Sequence, residues 1–336
     1  MHALPANASS HQLAGQSAAP IDDRISVDGF RSTAFLAALR QVELFAHDDS
    51  VTILIEGASG TGKTQLARWI HRRSPRSRGP FNYITLSAVD DGLAASELFG
   101  HVAGAFTDAR ASRAGLFVSA AKGTLFLDEI GKASRAVQQK LLHVIEYGEL
   151  RPVGADRDVR VDVRLIAAAS ENLEELAEAG ALLPDLLARL SVFRVRLPML
   201  SERRADIPIL VGRYVRSHAA RLGLPVPLVA DELMSVLKAA PWPNNLRQLD
   251  ATIHRIMLEA DGAPTLTVEH CTSDLDLPST RWASREKAVS KAEAEAAIDR
   301  AGGINAAAKL LGVHRTTIYR AQRRERSHVD ETPERS

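Results

Sequence analysis

A single cysteine, Cys271, in 336 residues excludes an internal disulfide and any metal cluster built on cysteine, and a chain so poor in thiols suits a reducing compartment. Also missing is any apolar run near the roughly 18 residues needed to cross a bilayer. The first residues show no basic stretch followed by an apolar one, so no signal peptide is expected and the chain reads as cytoplasmic. Net charge is almost absent: 42 Lys and Arg against 41 Asp and Glu leave +1. Any affinity for nucleic acid must therefore come from where the charge lies, not from its sum. With 45% apolar and 25% charged residues, global disorder is excluded and two or three domains can be built.

What is present begins with Val51 to Thr64, VTILIEGASGTGKT. The apolar run Val51 to Ile55 predicts a buried parallel strand. It leads into Gly57, Ala58, Ser59, Gly60, Thr61, Gly62, Lys63 and Thr64, which fill every fixed position of GxxxxGK[ST]. That pattern is a P-loop, a cofactor site for ATP and Mg²⁺. Glycines let backbone N–H groups turn toward a phosphate, the next helix offers its N-terminal dipole, Lys63 reaches the β- and γ-phosphates, and Thr64 can ligate Mg²⁺. The bland alternative, a glycine-rich turn, leaves the lysine and threonine unexplained.

Gly123 to Glu129, GTLFLDE, is a second apolar strand ending in two carboxylates. In P-loop ATPases the strand beside the P-loop strand carries an Asp for Mg²⁺ and a neighbouring Glu that polarises the attacking water. Asp128 and Glu129 are the candidates for those roles, with the strand expected next to the P-loop strand. Between the two motifs lies Gly104, Ala105, Phe106, Thr107, Asp108 and Ala109. From the residues alone, Phe106 is expected to pack beneath its own loop, an exposed apolar tip being the alternative.

Residues 1–21 lack periodicity and read as a flexible tail. A helix is predicted at 32–47, and amphipathic patterning predicts another at 134–147 capped by Ser134. The pattern 159–169 ends in a buried strand. After 197 the sequence turns helical, with helices predicted at 206–222, 231–239 and 245–260, capped by Asp206, Asp231 and Asn244. Arg247 in the first turn of the last of these sits where the macrodipole favours an acid, which suggests a task beyond solvation. Following a polar linker, helices at 287–300, 305–311 and 315–326 match a helix-turn-helix. Its basic residues Arg315, Arg320, Arg323 and Arg324 are predicted to contact DNA phosphates, with His314, Thr316 and Thr317 at the base-facing end. A solvated αα-hairpin is the alternative.

The chain resembles the sigma-54-dependent transcriptional activators, bacterial enhancer-binding proteins of the AAA+ class, over about residues 28–275 and 287–324. GASGTGKT, SELFGH, GAFTDA, GTLFLDEI, LPMLSERRADIP and WPNNLRQL occur in the family's order, and the terminal segment is similar to its Fis-type helix-turn-helix. The resemblance implies an α/β fold, a P-loop AAA+ parallel sheet with helices on both faces, and a small helical lid. It divides the chain into a tail (1–21), ATPase subdomain (22–197), lid (198–271), linker (272–286), DNA-binding domain (287–326) and tail (327–336), with no N-terminal regulatory domain. It further implies a ring, usually a hexamer, whose Gly104–Ala109 loop contacts sigma-54 and remodels the RNA polymerase closed complex as ATP turns over. Phe106 and Thr107 then become an exposed working tip. Arg247 is similar to a sensor II arginine and Arg189 to an arginine finger given to the neighbouring subunit.

Several positions depart from the family. Asp108 replaces a glycine of the loop, Thr85 stands for the asparagine that restrains the catalytic glutamate, Ser170 for the sensor I asparagine, and Leu183 for a second arginine near Arg189. Two functions follow as expectations: an ATP-dependent activator that binds upstream DNA, regulated by a separate protein, through a mixed ring or through its own synthesis, or a DNA-binding regulator whose weakened AAA+ domain serves only assembly. A general AAA+ remodeller fits the loop and terminus less well.

Overall fold

The computed structural model describes residues 29–106, 109–271 and 290–311. The predicted tail 1–21, the linker 272–286, the helix 315–326 and the loop residues Thr107 and Asp108 lie outside them. The chain divides into two compact units, residues 1–224 with 242–253, and residues 225–241 with 254–336.

The first unit is built on a five-stranded parallel sheet. Its strands are β1 (Ile53–Glu56), β2 (Phe81–Thr85), β3 (Thr124–Asp128), β4 (Arg164–Ala169) and β5 (Phe193–Arg196), in the order β2-β3-β4-β1-β5. Successive residues serve opposite cores, as strand geometry requires. Leu54, Leu125, Leu127, Ala167 and Ala169 face one core, while Ile53, Ile55, Phe126, Ile166 and Ala168 face the other. With helices covering both faces, these strands read as nearly continuous apolar runs.

The order corrects one expectation. The strand ending in Asp128 is not beside the P-loop strand: β4 lies between them, pairing Ile166 with Ile53 and with Phe126. Alternating polarity cannot reveal which parallel strands are neighbours, because every central strand is apolar on both faces.

The longer helices of this unit are α1 (Thr33–Ala46), α2 (Lys63–Arg72), α3 (Asp91–Phe99), α4 (Arg135–Tyr147), α5 (Pro184–Leu190), α6 (Ile207–Leu222) and α7 (Asn245–Ala260), the last belonging to this unit up to Ile253, and two short ones, Leu116–Ser119 and Leu173–Glu178, accompany them. Helix α1 follows from its pattern: Phe35, Ala38, Leu39, Val42 and Ala46 make one buried stripe, and Ser32 Oγ accepts the Phe35 N–H at 3.4 Å. Its last carbonyls are met by a buried residue from the sheet. Arg164 donates to the carbonyls of Phe45, Ala46 and Asp48 at 2.8–2.9 Å, supplying both donors and a cation to a helix C-terminus.

Three predicted caps act differently. Ser134 occupies the N-cap of α4 but makes no capping bond. Asp231 is the first residue of its helix, and Ala230 precedes it as the cap. Asp206 precedes α6 in an αR conformation, so its side chain does not fold back over the helix start, as an extended cap residue would. Its Oδ1 instead accepts the backbone N–H groups of Arg31 and Ser32 at 2.7 and 2.8 Å, across 175 and 174 residues. It thus anchors the start of α1.

In the second unit, Leu228–Val229 pairs with Thr265–Leu266 in parallel, and the helix Asp231–Ala239 buries Leu233, Val236 and Leu237. Further on, the predicted helix 287–300 begins at Lys291, where Ser290 and Glu293 form a capping box. It joins a second helix, Ile304–Leu311, after Gly302 at φ 76°. Ala294, Ala297 and Ala307 form the small core between them. No described helix is long and apolar enough to cross a membrane.

Candidate nucleotide site

The P-loop leaves the carboxyl end of β1 with three glycines in turn. Gly60 and Gly62 have φ of 76° and 105°, left-handed values that cost an L-residue strain. At Gly60 space is also closed, since a Cβ would lie 2.4 Å from the Asn244 carbonyl oxygen. Helix α2 starts at Lys63 directly after this turn, with its first N–H groups and dipole facing the loop.

Lys63 is only 8% exposed. Its Nζ donates to the carbonyls of Gly57 at 2.7 Å and Ala58 at 3.3 Å, so it is held by the loop it serves. Burial pushes its pKa below the ordinary lysine value, against the charges of Asp128, Glu129 and Glu171. Asp128 ends β3, and burial raises its carboxyl above the usual range, against the charge of Lys63. The topology therefore brings Lys63, Asp128 and Glu129 together at the carboxyl ends of the strands although β4 separates β1 from β3.

Other residues clasp the loop. Arg247 donates to Ser59 Oγ at 3.0 Å. Asn245, buried and at φ 52°, donates from Nδ2 to the Ser59 carbonyl at 2.9 Å, and its Oδ1 accepts the Leu200 N–H at 2.8 Å. Arg203 donates to the Thr61 carbonyl at 2.7 Å and lies over the Phe35 ring. Burial lowers the pKa of this guanidinium. Arg203 and Asn245 were not among the predicted site residues. Their signal was a buried arginine and a non-glycine left-handed residue, neither of which a spacing pattern shows.

The departures take defined places. Thr85 pairs by register with Asp128 at the end of the sheet, but the hydrogen bond to the Glu129 carboxylate comes from Ser87 Oγ, donated to Oε2. Ser170 Oγ donates to Glu171 Oε2 at 3.3 Å, and Glu171 also pairs with Lys132 at 2.9 Å. Leu183 packs against the core, and its N–H is received by the buried Gln138, whose amide nitrogen reaches the carbonyls of Ala133 and Ala181. Arg189, one helical stretch further, pairs with Glu146 at 3.1 Å and is half-exposed.

The loop around Phe106 rises from an antiparallel stem, Gly100–His101 with Arg113–Ala114. Across its base, Gly104 N–H donates to Ala109 O at 2.8 Å and Ala109 N–H to Phe106 O at 2.9 Å. Because the Ala111 carbonyl can only accept, His101 Nε2 carries the proton it donates at 3.0 Å, and Nδ1 accepts from Ser96 Oγ at 2.7 Å. Phe106 is 45% exposed, with its ring edge on His101 at 4.9 Å between centroids. The expectation of burial beneath its own loop does not hold: the ring stays partly open to solvent because its neighbours Gly104, Ala105 and Ala109 are too small to cover it. Ala105 meets the turn at Gly154, where an added Cβ would lie 2.8 Å from the Ala105 Cβ. The predicted DNA contacts His314, Arg315, Thr316, Thr317, Arg320, Arg323 and Arg324 lie outside the described residues.

For Mg²⁺, the available ligands are the Thr64 hydroxyl and the Asp128 carboxylate. Among the described residues no group of three or more His, Cys, Asp or Glu could hold a metal, and Mg²⁺ commonly takes one or two carboxylates together with phosphate and water. The raised pKa of Asp128 marks a carboxylate in a low-dielectric place, which a cation would stabilise in its charged form. The residues present fit the ion on those grounds.

Comparison with known proteins bears on the same stretch. The sequence pattern described as the Sigma-54 interaction domain matches residues 29–196, and that of an AAA+ ATPase lid domain matches residues 201–288. The anaerobic nitric oxide reductase transcription regulator NorR of Citrobacter koseri is 44% identical over 221 residues, 66% of this chain and 44% of the relative. NorR of Klebsiella pneumoniae is 42% identical over 68% of this chain and 44% of its own length. The chain thus spans less than half the length of these curated relatives. Among solved structures, NtrX of Brucella abortus in complex with ADP has a TM-score of 0.67 and 32% identity, covering 85% of this chain and 67% of that one. Its complex with ATP gives 0.68 and 31% over 86% and 67%.

Proposed function

Given that the chain belongs to the family defined by the sigma-54 interaction domain of AAA+ P-loop ATPases, we propose that it hydrolyses ATP to activate transcription by RNA polymerase carrying sigma-54. The observation that carries this reading is the meeting of Lys63, Asp128 and Glu129 at the carboxyl ends of one sheet's strands, with Arg247 on the P-loop and an exposed Phe106 in the same unit. Lys63 would leave the carbonyls of Gly57 and Ala58 to bind the β- and γ-phosphates. Glu129 would orient the attacking water and accept its proton as the γ-phosphoryl bond to ADP breaks. Thr64 and Asp128 would hold Mg²⁺, which would supply charge neutralisation at the phosphates.

Arg247 would follow the phosphate from the lid, and Arg189 would leave Glu146 to reach ATP on a neighbouring copy in a ring, a hexamer by family resemblance. The Gly104–Ala109 loop would contact sigma-54, while residues 314–324 bind upstream DNA. Control would lie in trans or in mixed subunits, in the cytoplasm. A DNA-binding regulator with a weakened ATPase is the competing function, favoured by Ser170 being engaged with Glu171.

Transcription in vitro from a sigma-54 promoter distinguishes them. The wild type should open the promoter only with hydrolysable ATP, and Glu129→Ala and Thr107→Ala should both fail. Opening without hydrolysis would refute the activator reading, and absent ATPase with retained DNA binding would support the alternative.

A further inference from the structure

The roles proposed for Lys63, Asp128 and Glu129 leave two charged neighbours without a task, Lys132 and Glu171. Glu171 comes two residues after the end of β4, where the Ala169 carbonyl accepts the Gly57 N–H of the P-loop at 3.2 Å. Its charge acts on Lys63 together with those of Asp128 and Glu129. Lys132 closes the short turn Ile130–Lys132 that leaves Glu129, and its N–H returns to the Glu129 carbonyl at 2.9 Å. Its Nζ meets Glu171 Oε1 at 2.9 Å.

The pair is fixed at one end and loose at the other. Burial pulls the Glu171 carboxyl up, but the hydrogen bonds it accepts, from Lys132 first and also from Ser170, bring it below the ordinary value. Gly131 packs against it, so that a Cβ added there would lie 3.4 Å from Glu171 Oε2. The Lys132 side chain, by contrast, is 53% exposed. A four-carbon stem in that setting can swing its ammonium to a new partner without disturbing the core.

Electrostatics supplies the new partner. Three carboxylates, those of Asp128, Glu129 and Glu171, act on Lys63, and the charge of Glu129 also reaches Lys132. In a P-loop the β-phosphate lies on the loop amides and the lysine. A γ-phosphate extends beyond it toward the carboxylate that would orient water, and its added charge is repelled there unless a further cation arrives. Lys132 is a cation within that field, parked on Glu171 as Lys63 is parked on the carbonyls of Gly57 and Ala58.

We propose that Lys132 is a γ-phosphate-binding residue held in reserve by Glu171: it exchanges the Glu171 carboxylate for the γ-phosphate of bound ATP, and thereby makes the site prefer ATP to ADP. The proposal rests on the site binding nucleotide. A mere brace between the turn after β3 and the end of β4 makes a different prediction, because a brace fails whichever partner is removed.

The test is calorimetric titration of the full chain, in the presence of Mg²⁺, with ADP and with a non-hydrolysable ATP analogue. One charge-assisted bond at a half-exposed place corresponds to about a 3- to 10-fold change in affinity. Lys132→Gln should weaken the analogue by that factor and leave ADP near the wild-type value. Lys132→Arg, which keeps the cation, should retain the preference. Glu171→Gln, which frees the lysine, should strengthen the analogue by about the same factor with ADP little changed. That gain should vanish in the double variant Lys132→Gln/Glu171→Gln, because the lysine carries it. Four results each overturn the proposal: equal losses for both nucleotides in Lys132→Gln, wild-type analogue binding in that variant, weaker analogue binding in Glu171→Gln, or a gain that persists in the double variant. If the wild type binds ADP while any of these is found, the nucleotide site stands and the role of Lys132 falls. A wild type that binds neither nucleotide overturns both.

Discussion

Replacing Asp206 tests how the nucleotide loop is supported from a distance. This carboxylate is fully buried and its Oδ1 accepts two backbone N–H groups, Arg31 at 2.7 Å and Ser32 at 2.8 Å. Hydrogen bonds to a charged group contribute roughly 1.5–3 kcal/mol each, and leaving buried donors unmatched costs a similar amount. Asp206→Ala should therefore lower unfolding stability by about 3–5 kcal/mol. It also removes a negative charge that favours the charged form of Arg203, which is 2% exposed and donates to Thr61 of the P-loop. Nucleotide affinity should fall along with stability. Asp206→Asn retains an acceptor for both N–H groups while losing the charge, so about 1–2 kcal/mol is expected. Urea unfolding read by tryptophan fluorescence measures both variants, since Trp69 and Trp242 are buried in this unit. A loss below about 1 kcal/mol in Asp206→Ala, or equal losses in the two variants, would refute the argument that the carboxylate bonds to the start of α1 hold this region together.

Two further outcomes can be checked directly. Arg189→Ala should reduce ATP turnover by about 10³ or more while nucleotide binding by calorimetry stays near wild type, as losing a finger supplied to a neighbour requires; normal turnover would remove Arg189 from that role. His71 donates to or accepts from Thr124 Oγ1 at 2.9 Å, and burial, with the charges of Arg164 and Arg72, lowers its pKa from the ordinary value of 6.5. The unfolded chain then takes up the proton first, so the stability from neutral His71 is complete above about pH 6.5 and declines as pH falls toward the folded pKa. Urea midpoints at pH 7.5 and 5.5 should converge in His71→Gln relative to wild type.

Much of the architecture was legible because local rules act alone there. The stripe of α1 and the strand entering the P-loop both follow from periods and from glycines at fixed offsets. The position of Asp206 was legible only as a helix start, since nothing in RRADIP shows that its carboxylate will meet residues 174 positions earlier. Arg164 falls inside the predicted pattern 159–169 with nothing to mark it, and its task at the α1 C-terminus appears only when β4 is set beside the end of that helix.

By itself the sequence determined that a glycine-turned loop, a lysine and two strand-end carboxylates would be present, because those depend on residues a few positions apart. The tertiary structure alone decided that β4 separates the P-loop strand from the Asp128 strand, and that Arg203, Asn245 and Arg247 close on the loop. It decided likewise that Ser87 rather than Thr85 reaches Glu129. Each of these is a contact made across the fold, set by which strands lie side by side and which turn leaves the ladder, and neither is encoded in the spacing of the residues that meet.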